Sequence, residues 1–519
     1  MTTSSPSSST LEQDWQSLIR WLTEEHGMEN LYVSCEEIPG AGRGIYQTAS
    51  FPYNKFAPPS NVLSIPTSAL INAHTLRTHY PSQFTPLPLT KSKKASSSRS
   101  KTSLEKAQTE DGEPDEIYPL TATQLVTLHL ALHNPNQPAL SSLSTQDPWA
   151  PFLKVLPQSF RWHHPLTWLV AEVDQEGDQE APGMKRWRDL ERFLPKEVRR
   201  LVQDVEKRFW EDVKVLKTVL KTHPTYSSTD LSTSLSQSSL LWAWLNVNTR
   251  CLSFPLLLEP SSGTNDLTLA PILDMANHSS SSTPIPCTLP SSVPASKAST
   301  YVLPASEDQP DPRSDGQNDS KREVLLQYGP HEDGFLMAEY GFVCYPPDEE
   351  GRGGNEWNEV CVDRWVEEIV SSLGSEGAKR KEILEEERYW GQYTLHLSST
   401  PHPSHNLITA LRLLLLPVPS SSSTDIQAWR DTILGYLPFV SDANESSVRS
   451  ELARICTAVE IEAAEGESTL DGLVASVERA EEAEEGEWKF SVQSVRQLWR
   501  ERQRIARGVK EAVEEGVEF

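Results

Sequence analysis

Ala270-Pro-Ile-Leu-Asp-Met-Ala-Asn-His-Ser279 is an apolar run that ends in a polar pair, Asn277-His278. Downstream stand Glu323-Val-Leu-Leu-Gln-Tyr-Gly329, a strand-like run ending at Tyr328, and Glu339-Tyr-Gly-Phe-Val343, which supplies Tyr340. Polar and aromatic groups mounted on hydrophobic supports are the material of binding and catalytic sites. Taken singly, each piece has an ordinary reading as well: Asn277 and His278 can bridge a chain crossing, and the tyrosines can be core aromatics.

Around this centre, 519 residues are too many for one core and predict two domains. An apolar content of 37% is that of a globular protein with polar linkers. No run of about 18 apolar residues offers a membrane span, so no membrane partner is expected. The formal net charge of −26 argues against nonspecific nucleic-acid binding, which needs basic surface; it serves solubility or attracts a basic protein. The six cysteines include no C-x-C or C-x-x-C pair, so neither structural zinc nor a disulfide framework is expected. Met1–Thr10 lacks the basic-then-apolar order of a secretory signal, and a cytoplasmic protein, also nuclear as a second option, is the expectation.

Along the chain, Trp15, Leu18, Ile19 and Leu22 recur at helical spacing, and Gly27 ends that helix. Two strand-like runs, 31–38 and 44–49, flank Pro39-Gly-Ala-Gly-Arg-Gly44, which on its own reads as a plain hairpin turn or as a place where a ligand comes close. Asn61–Pro66 is another strand candidate, and 91–116 a polar loop whose basic half is a solvated linker or an import signal. Helical pattern then covers 120–220, clearest at Thr123–His133, Pro151–Trp168 and Leu194–Leu220, the last with Val198, Leu201, Val202, Val205 and Phe209 on one face. Leu240–Arg250 is apolar on most sides and delivers Arg250 near its end; a buried arginine needs an internal salt bridge or an anionic ligand. Residues 280–320 read as a long loop with one strand candidate at Tyr301–Leu303, and Asp333 is placed to cap a helix over Gly334–Tyr340. Beyond Pro346 come helices at 365–373, 379–390, 406–415, 425–436, 447–464 and 488–517, a second and all-helical domain.

These residues resemble, in family order, the SET-domain protein lysine methyltransferases of the Rubisco large-subunit methyltransferase class, which includes fungal ribosomal-protein lysine methyltransferases. The resemblance rests on Ala41-Gly42-Arg43-Gly44, Asn248-Thr-Arg250-Cys, Leu273-Asp-Met-Ala-Asn277-His278-Ser279, Val324-Leu-Leu-Gln-Tyr328-Gly329-Pro-His331 and Glu339-Tyr340-Gly341-Phe342-Val343. Gly391-Gln-Tyr-Thr-Leu395 and Ala410-Leu-Arg412-Leu resemble the helical domain that follows. Two departures stand out: Lys321-Arg322 where the class usually has Gly-Glu, and Glu332-Asp333 where it often has Ser-Asn.

The resemblance implies an α+β fold: a SET domain over 1–345 with a helical insertion at about 71–240 and loops at about 91–116 and 280–320, then a substrate-binding domain over 346–519. It implies transfer of a methyl group from S-adenosylmethionine to a protein lysine, with no metal. Ala41, Gly42, Arg43, Arg250, Asn277, His278 and Tyr328 would bind the cofactor, Arg250 pairing its carboxylate. Tyr328 would be catalytic, and Tyr340 a wall of the lysine channel. The expected partner is a protein substrate, a basic ribosomal protein by preference, acted on by a monomer without direct nucleic-acid contact; Gly329-Pro-His331 and Asn355-Glu-Trp-Asn358 resemble the fungal ribosomal group. A histidine acceptor on the same fold, or a noncatalytic SET scaffold that holds a partner, are the alternatives.

Overall fold

The computed structural model describes residues 8–28, 31–38, 42–48, 61–81, 120–137, 141–160, 163–170, 184–227, 235–253, 267–280, 300–304, 322–344, 346, 354–397, 400–417, 423–477 and 485–519. The glycine-turn residues 39–41, and with them Ala41, lie outside the described residues, as do 91–116 and most of 280–320. Twelve short strands run in chain order among the described residues: β1 Val33–Ile38, β2 Gly42–Gln47, β3 Asn61–Pro66, β4 Ile71–Asn72, β5 Leu252–Ser253, β6 Leu267–Leu269, β7 Asn277–His278, β8 Thr300–Pro304, β9 Arg322–Leu326, β10 Glu359–Cys361, β11 Thr394–His396 and β12 His402–Pro403.

They form a four-stranded sheet β1-β2-β9-β7, a pair β3-β8, and two three-stranded sheets, β4-β6-β5 and β10-β11-β12. In the first sheet β2 and β9 run antiparallel with Ile45 opposite Val324, whereas β7 lies parallel to β9 with Asn277 opposite Leu325 and His278 opposite Leu326. The parallel pairing is what matters for function. It takes two segments separated by a long stretch of chain and sets Asn277-His278 two residues from Tyr328.

The helix Gln237–Arg250 starts where the Ser236 hydroxyl accepts from the Ser239 N–H, and every residue from Ser239 to Val247 is buried, as an all-round apolar helix requires. Lys196–Thr222 buries the expected stripe, Val198, Val202, Val205 and Phe209. The continuous helix expected over Pro151–Trp168 is instead two short ones, Ala150–Val155 and Pro165–Leu169. Pro157 and Pro165 account for the break, since a residue preceding proline is driven out of helical geometry: Leu156 has ψ 152° and His164 ψ 126°.

Past residue 354 the helices Asp363–Ser372, Gly374–Glu386, His405–Leu414, Ser423–Ile433, Asp442–Val477 and Glu485–Glu514 follow the sequence pattern. Asp442–Val477 runs well beyond the expected end at 464, because its far half is tied into a core: Ala463 and Leu470 are buried there. The unit is not helical throughout, for β10, β11 and β12 form a small antiparallel sheet within it. Strands of two or three residues are too short to print a period on the sequence.

A core of Trp168, Trp187, Trp488 and Trp499 joins the helical insertion to the C-terminal helices and takes in Met337 and Ala338. Trp187 and Trp488 meet edge to face at 5.1 Å, and Trp499 Nε1 donates to the Phe193 carbonyl at 2.8 Å. The helix Asp333–Tyr340, which carries Tyr340, is therefore buttressed from both sides. Among the described residues no helix is long and apolar enough to cross a membrane.

Candidate active site

The β7/β9 pairing brings the His278 ring beside Tyr328. The Tyr328 backbone N–H donates to His278 Nδ1 at 3.2 Å, and the Tyr328 hydroxyl donates to the Ala276 carbonyl at 2.8 Å. A backbone amide can only donate, so Nδ1 is the acceptor and the neutral ring carries its proton on Nε2. Burial, with His331 adding to it, pushes the His278 pKa down to about 4, so the ring is neutral at physiological pH. Burial raises the Tyr328 phenol above its ordinary value, an effect that nearby Arg250 partly offsets, and the hydroxyl stays protonated.

Four rings gather here. Tyr328 lies 5.1 Å from Tyr340, 5.2 Å from His278 and 6.3 Å from Phe342, and Phe342 lies 6.1 Å from His278 and 6.2 Å from Tyr340. Tyr340 and Phe342 reach the cluster because the chain turns sharply at Gly341, which has φ 82° and ψ 24° and sits against the backbone of His163 and His164. The approach is fixed one residue earlier. The Glu339 carbonyl accepts from Asn248 Nδ2 at 3.0 Å and from His164 Nε2 at 3.0 Å, while its carboxylate pairs with Arg208.

Asn277 Nδ2 donates to Glu323 Oε1 at 2.9 Å across the sheet. Gly44 lies under that pair. A Cβ there would come within 2.3 Å of Ile38 Cδ1 and 2.8 Å of Asn277 Nδ2, so only glycine lets β2 approach so closely. Arg43 Nη1 donates to the Val155 carbonyl at 3.1 Å and ties β2 to the insertion. Of the anticipated site residues, His278, Tyr328 and Tyr340 are in one cluster, Asn277 precedes His278 in β7 and bonds Glu323, and Gly42 and Arg43 lie on β2, which pairs with β9.

Arg250 meets an internal partner: Nη1 donates to the Asp274 carbonyl at 2.7 Å and lies 3.4 Å from Asp274 Oδ2. Burial pushes the Asp274 carboxyl up to about 6 although Arg250 and Arg43 pull it down. Ile272, two residues before it, is buried at φ 70°, an outlier for a β-branched residue, and it opens the short 3₁₀ turn Leu273–Met275 that turns the chain into β7. Three buried polar atoms here make no hydrogen bond among the described residues: Arg250 Nε, Asp274 Oδ1 and His278 Nε2. Buried polar atoms rarely stay unpaired, and a cluster of them marks a place where a polar ligand fits.

The helix cap differs from expectation. Glu332, not Asp333, caps Asp333–Tyr340, its carboxylate accepting from the Gly334 and Phe335 N–H groups. Asp333 is the hub of a buried clamp, accepting from Asn355 Nδ2 at 3.0 Å, the Cys344 N–H at 3.1 Å and Asn358 Nδ2 at 2.8 Å. Asn355 also donates to the His331 carbonyl at 2.9 Å. The Asn355-Glu-Trp-Asn358 stretch thereby locks the segment after Tyr328 to the segment after Phe342.

Burial pushes the Glu332 carboxyl from its ordinary 4.5 up to about 7, against the two amides that favour its charged form. A carboxyl raised on folding contributes stability that is full below the unfolded value and is lost as pH rises through the folded one. Glu332→Gln keeps an acceptor but removes the titration. The melting temperature of the variant minus that of the wild type is expected to increase from pH 5 to pH 8, measured by thermal denaturation; a difference independent of pH would contradict this.

Phe342, Asn248, His164 and Arg208 belong to the site and were not among the anticipated residues. Phe342 and Asn248 stand inside motifs that pointed to the site, so the signal was present; His164 and Arg208 lie in stretches whose sequence pattern reads as helical, with nothing to distinguish them.

No family model matches the chain. Over 308 residues it is 24% identical to ribosomal lysine N-methyltransferase 2 of Saccharomyces cerevisiae, covering 54% of this chain and 56% of that protein. Over 224 residues it is 30% identical to human SET domain-containing protein 4, covering 43% of each. The chain thus spans about half the length of the curated relatives it matches. The solved structure of Rubisco LSMT bound to sinefungin and monomethyllysine superposes with a TM-score of 0.51 at 12% identity, over 97% of this chain and 92% of that one. The chain has a SET fold. The agreement covers 97% of this chain, and the architecture is α+β. In this SET fold the β7/β9 pair carries His278 and leads into Tyr328, Gly44 packs against Asn277, and the charge of Arg250 acts on Tyr328.

Proposed function

We propose that this chain is an S-adenosylmethionine-dependent protein-lysine N-methyltransferase, with 1–345 as the catalytic part and 346–519 as the part that binds a basic ribosomal protein. The observation that carries this reading is the joining of the four-ring cluster to buried, unpaired polar atoms. Arg250 Nε and the His278 Nε2–H are donors and Asp274 Oδ1 is an acceptor; His278 is one of the four rings, and the charges of Arg250 and Asp274 act on the Tyr328 phenol. That set fits a zwitterionic, partly aromatic ligand such as S-adenosylmethionine, which when bound supplies an electrophilic methyl group on a cationic sulfur.

The chain's own residues account for the rest. Tyr328 has committed its proton to the Ala276 carbonyl, so its oxygen is left as an acceptor toward a group of positive character. Lysine must arrive as a neutral amine although its free pKa is about 10.4. An enclosure of Tyr328, Tyr340 and Phe342 favours that form by desolvation. Holding the two reactants in line can supply roughly 7–11 kcal/mol of the barrier. A ribosomal substrate is favoured by the name of the Saccharomyces cerevisiae relative, at 24% identity, and by the net charge of −26, which attracts basic proteins.

The test is transfer of labelled methyl from S-adenosylmethionine by the full chain to purified ribosomal proteins, with the modified residue located by mass spectrometry. Label on lysine is the expected result. Label on histidine would move the acceptor, and cofactor binding with no transfer to any protein would favour a scaffold.

A further inference from the structure

Away from the four-ring cluster, the helical insertion buries a second group of functional side chains. His129 lies on the helix Ala122–Leu132, and His133, one turn on, caps it. Asp147 comes from the turn before Ala150–Val155. All three are nearly inaccessible: 1% exposed for His129, and 5% for both His133 and Asp147. Each offers one ligand atom, and these atoms all lie within 4.8 Å of one another.

Hydrogen bonds fix both His133 and the Asp147 carboxylate in this group. His133 Nδ1 lies 2.8 Å from the His129 carbonyl, which can only accept, so Nδ1 holds the proton and the neutral ring presents a lone pair at Nε2. That Nε2 faces Asp147 Oδ2 at 3.5 Å. His129 Nε2 is 3.2 Å from the same oxygen, and neither ring nitrogen of His129 has another partner among the described residues. The carboxylate is fixed from outside: Oδ1 accepts from the Trp149 N–H at 2.8 Å and Oδ2 from the Tyr80 hydroxyl at 2.8 Å. Two imidazole nitrogens thus converge on an oriented carboxylate oxygen.

We propose that His129, His133 and Asp147 form a buried three-ligand site for a divalent transition metal of the zinc type, with a water in the fourth position. Two histidines four residues apart at one helix end, with a carboxylate from another segment, are an N₂O donor set suited to such an ion. At metal–ligand distances of about 2.0–2.2 Å, tetrahedral ligands stand roughly 3.3–3.5 Å apart. The 3.2 and 3.5 Å separations from Asp147 Oδ2 already match those edges. The surroundings match too. His133 Nδ1–H to a backbone carbonyl, and Tyr80 and Trp149 on the carboxylate, are the partners that orient metal ligands. A bound ion would fasten the Tyr80 segment, the helix Ala122–Leu132 and the start of Ala150–Val155 into one unit. The absence of paired cysteines leaves this possibility untouched, because no sulfur is involved.

The experiment uses the full chain without a histidine tag, equilibrated with Zn²⁺, desalted, and analysed for metal by mass spectrometry. In parallel Co²⁺ is added and the visible d–d bands of a four-coordinate ion are sought. About one ion per chain, cobalt bands, and a melting temperature raised by Zn²⁺ and lowered again by a chelator are expected. Asp147→Asn and His129→Gln should each weaken binding by about tenfold or more. The cobalt spectrum of the wild type decides the matter even if a variant does not fold. No retained ion and no response of the melting temperature to Zn²⁺ or chelator would mean an ordinary imidazolium–carboxylate cluster and overturn the proposal. Undiminished binding in both variants would place the ion elsewhere and overturn it as well.

Discussion

Replacing Tyr328 by phenylalanine is expected to lower the methyl-transfer rate by about 10²-fold or more while changing cofactor affinity by only a few fold, the range in which a positioned polar group acts on a reacting centre. The substitution removes one oxygen and keeps the ring, so the contacts at 5.1 Å to Tyr340 and 5.2 Å to His278 survive. What is lost is the bond to the Ala276 carbonyl at 2.8 Å and the acceptor lone pairs that this bond leaves facing the cluster. The stability cost is modest, roughly 1–2 kcal/mol for a buried carbonyl left unpaired. The check is a single-turnover transfer assay alongside a binding titration. A rate unchanged within twofold would remove Tyr328 from the chemistry.

Gly341→Ala is expected to be the most damaging small substitution near the site. The position has φ 82°, where an L side chain costs about 1–2 kcal/mol. The added Cβ would also lie 2.9 Å from His164 Cα and 3.0 Å from the His163 carbonyl, and backbone cannot swing aside as a side-chain tip can. The two effects together come to on the order of 3 kcal/mol, in the upper part of the range for single substitutions. Because Gly341 stands between Tyr340 and Phe342, the strain is delivered to two of the four rings, so transfer should fall with stability. Thermal denaturation and the transfer assay together check this. A variant that melts with the wild type and turns over normally would show that the turn tolerates a side chain.

How much of this was legible beforehand depended on the distance over which each choice is made. Asn277-His278, Tyr328 and Tyr340 could be found because each closes an apolar run, and runs are local. Their assembly, through the parallel β7/β9 pair, followed from the resemblance rather than from any pattern. The cap of Asp333–Tyr340 was misplaced by one residue because Glu332 and Asp333 are adjacent acids, and the choice between them is made by Asn355 and Asn358, 22 and 25 residues on. The break at Leu156 was written in Pro157 and Pro165, whose effect on the preceding residue outweighs the helical period around it. The His129–His133–Asp147 cluster was invisible to a search for cysteines, and the third residue is joined to the other two only by tertiary packing.

The most direct measurement of the central claim is a calorimetric titration of S-adenosylmethionine into the full chain, repeated with Asn277→Ala. The account predicts saturable binding at one site per chain, weakened in the variant, whose side chain bridges β7 to Glu323 over Gly44. Absence of binding to the folded wild-type chain would contradict it.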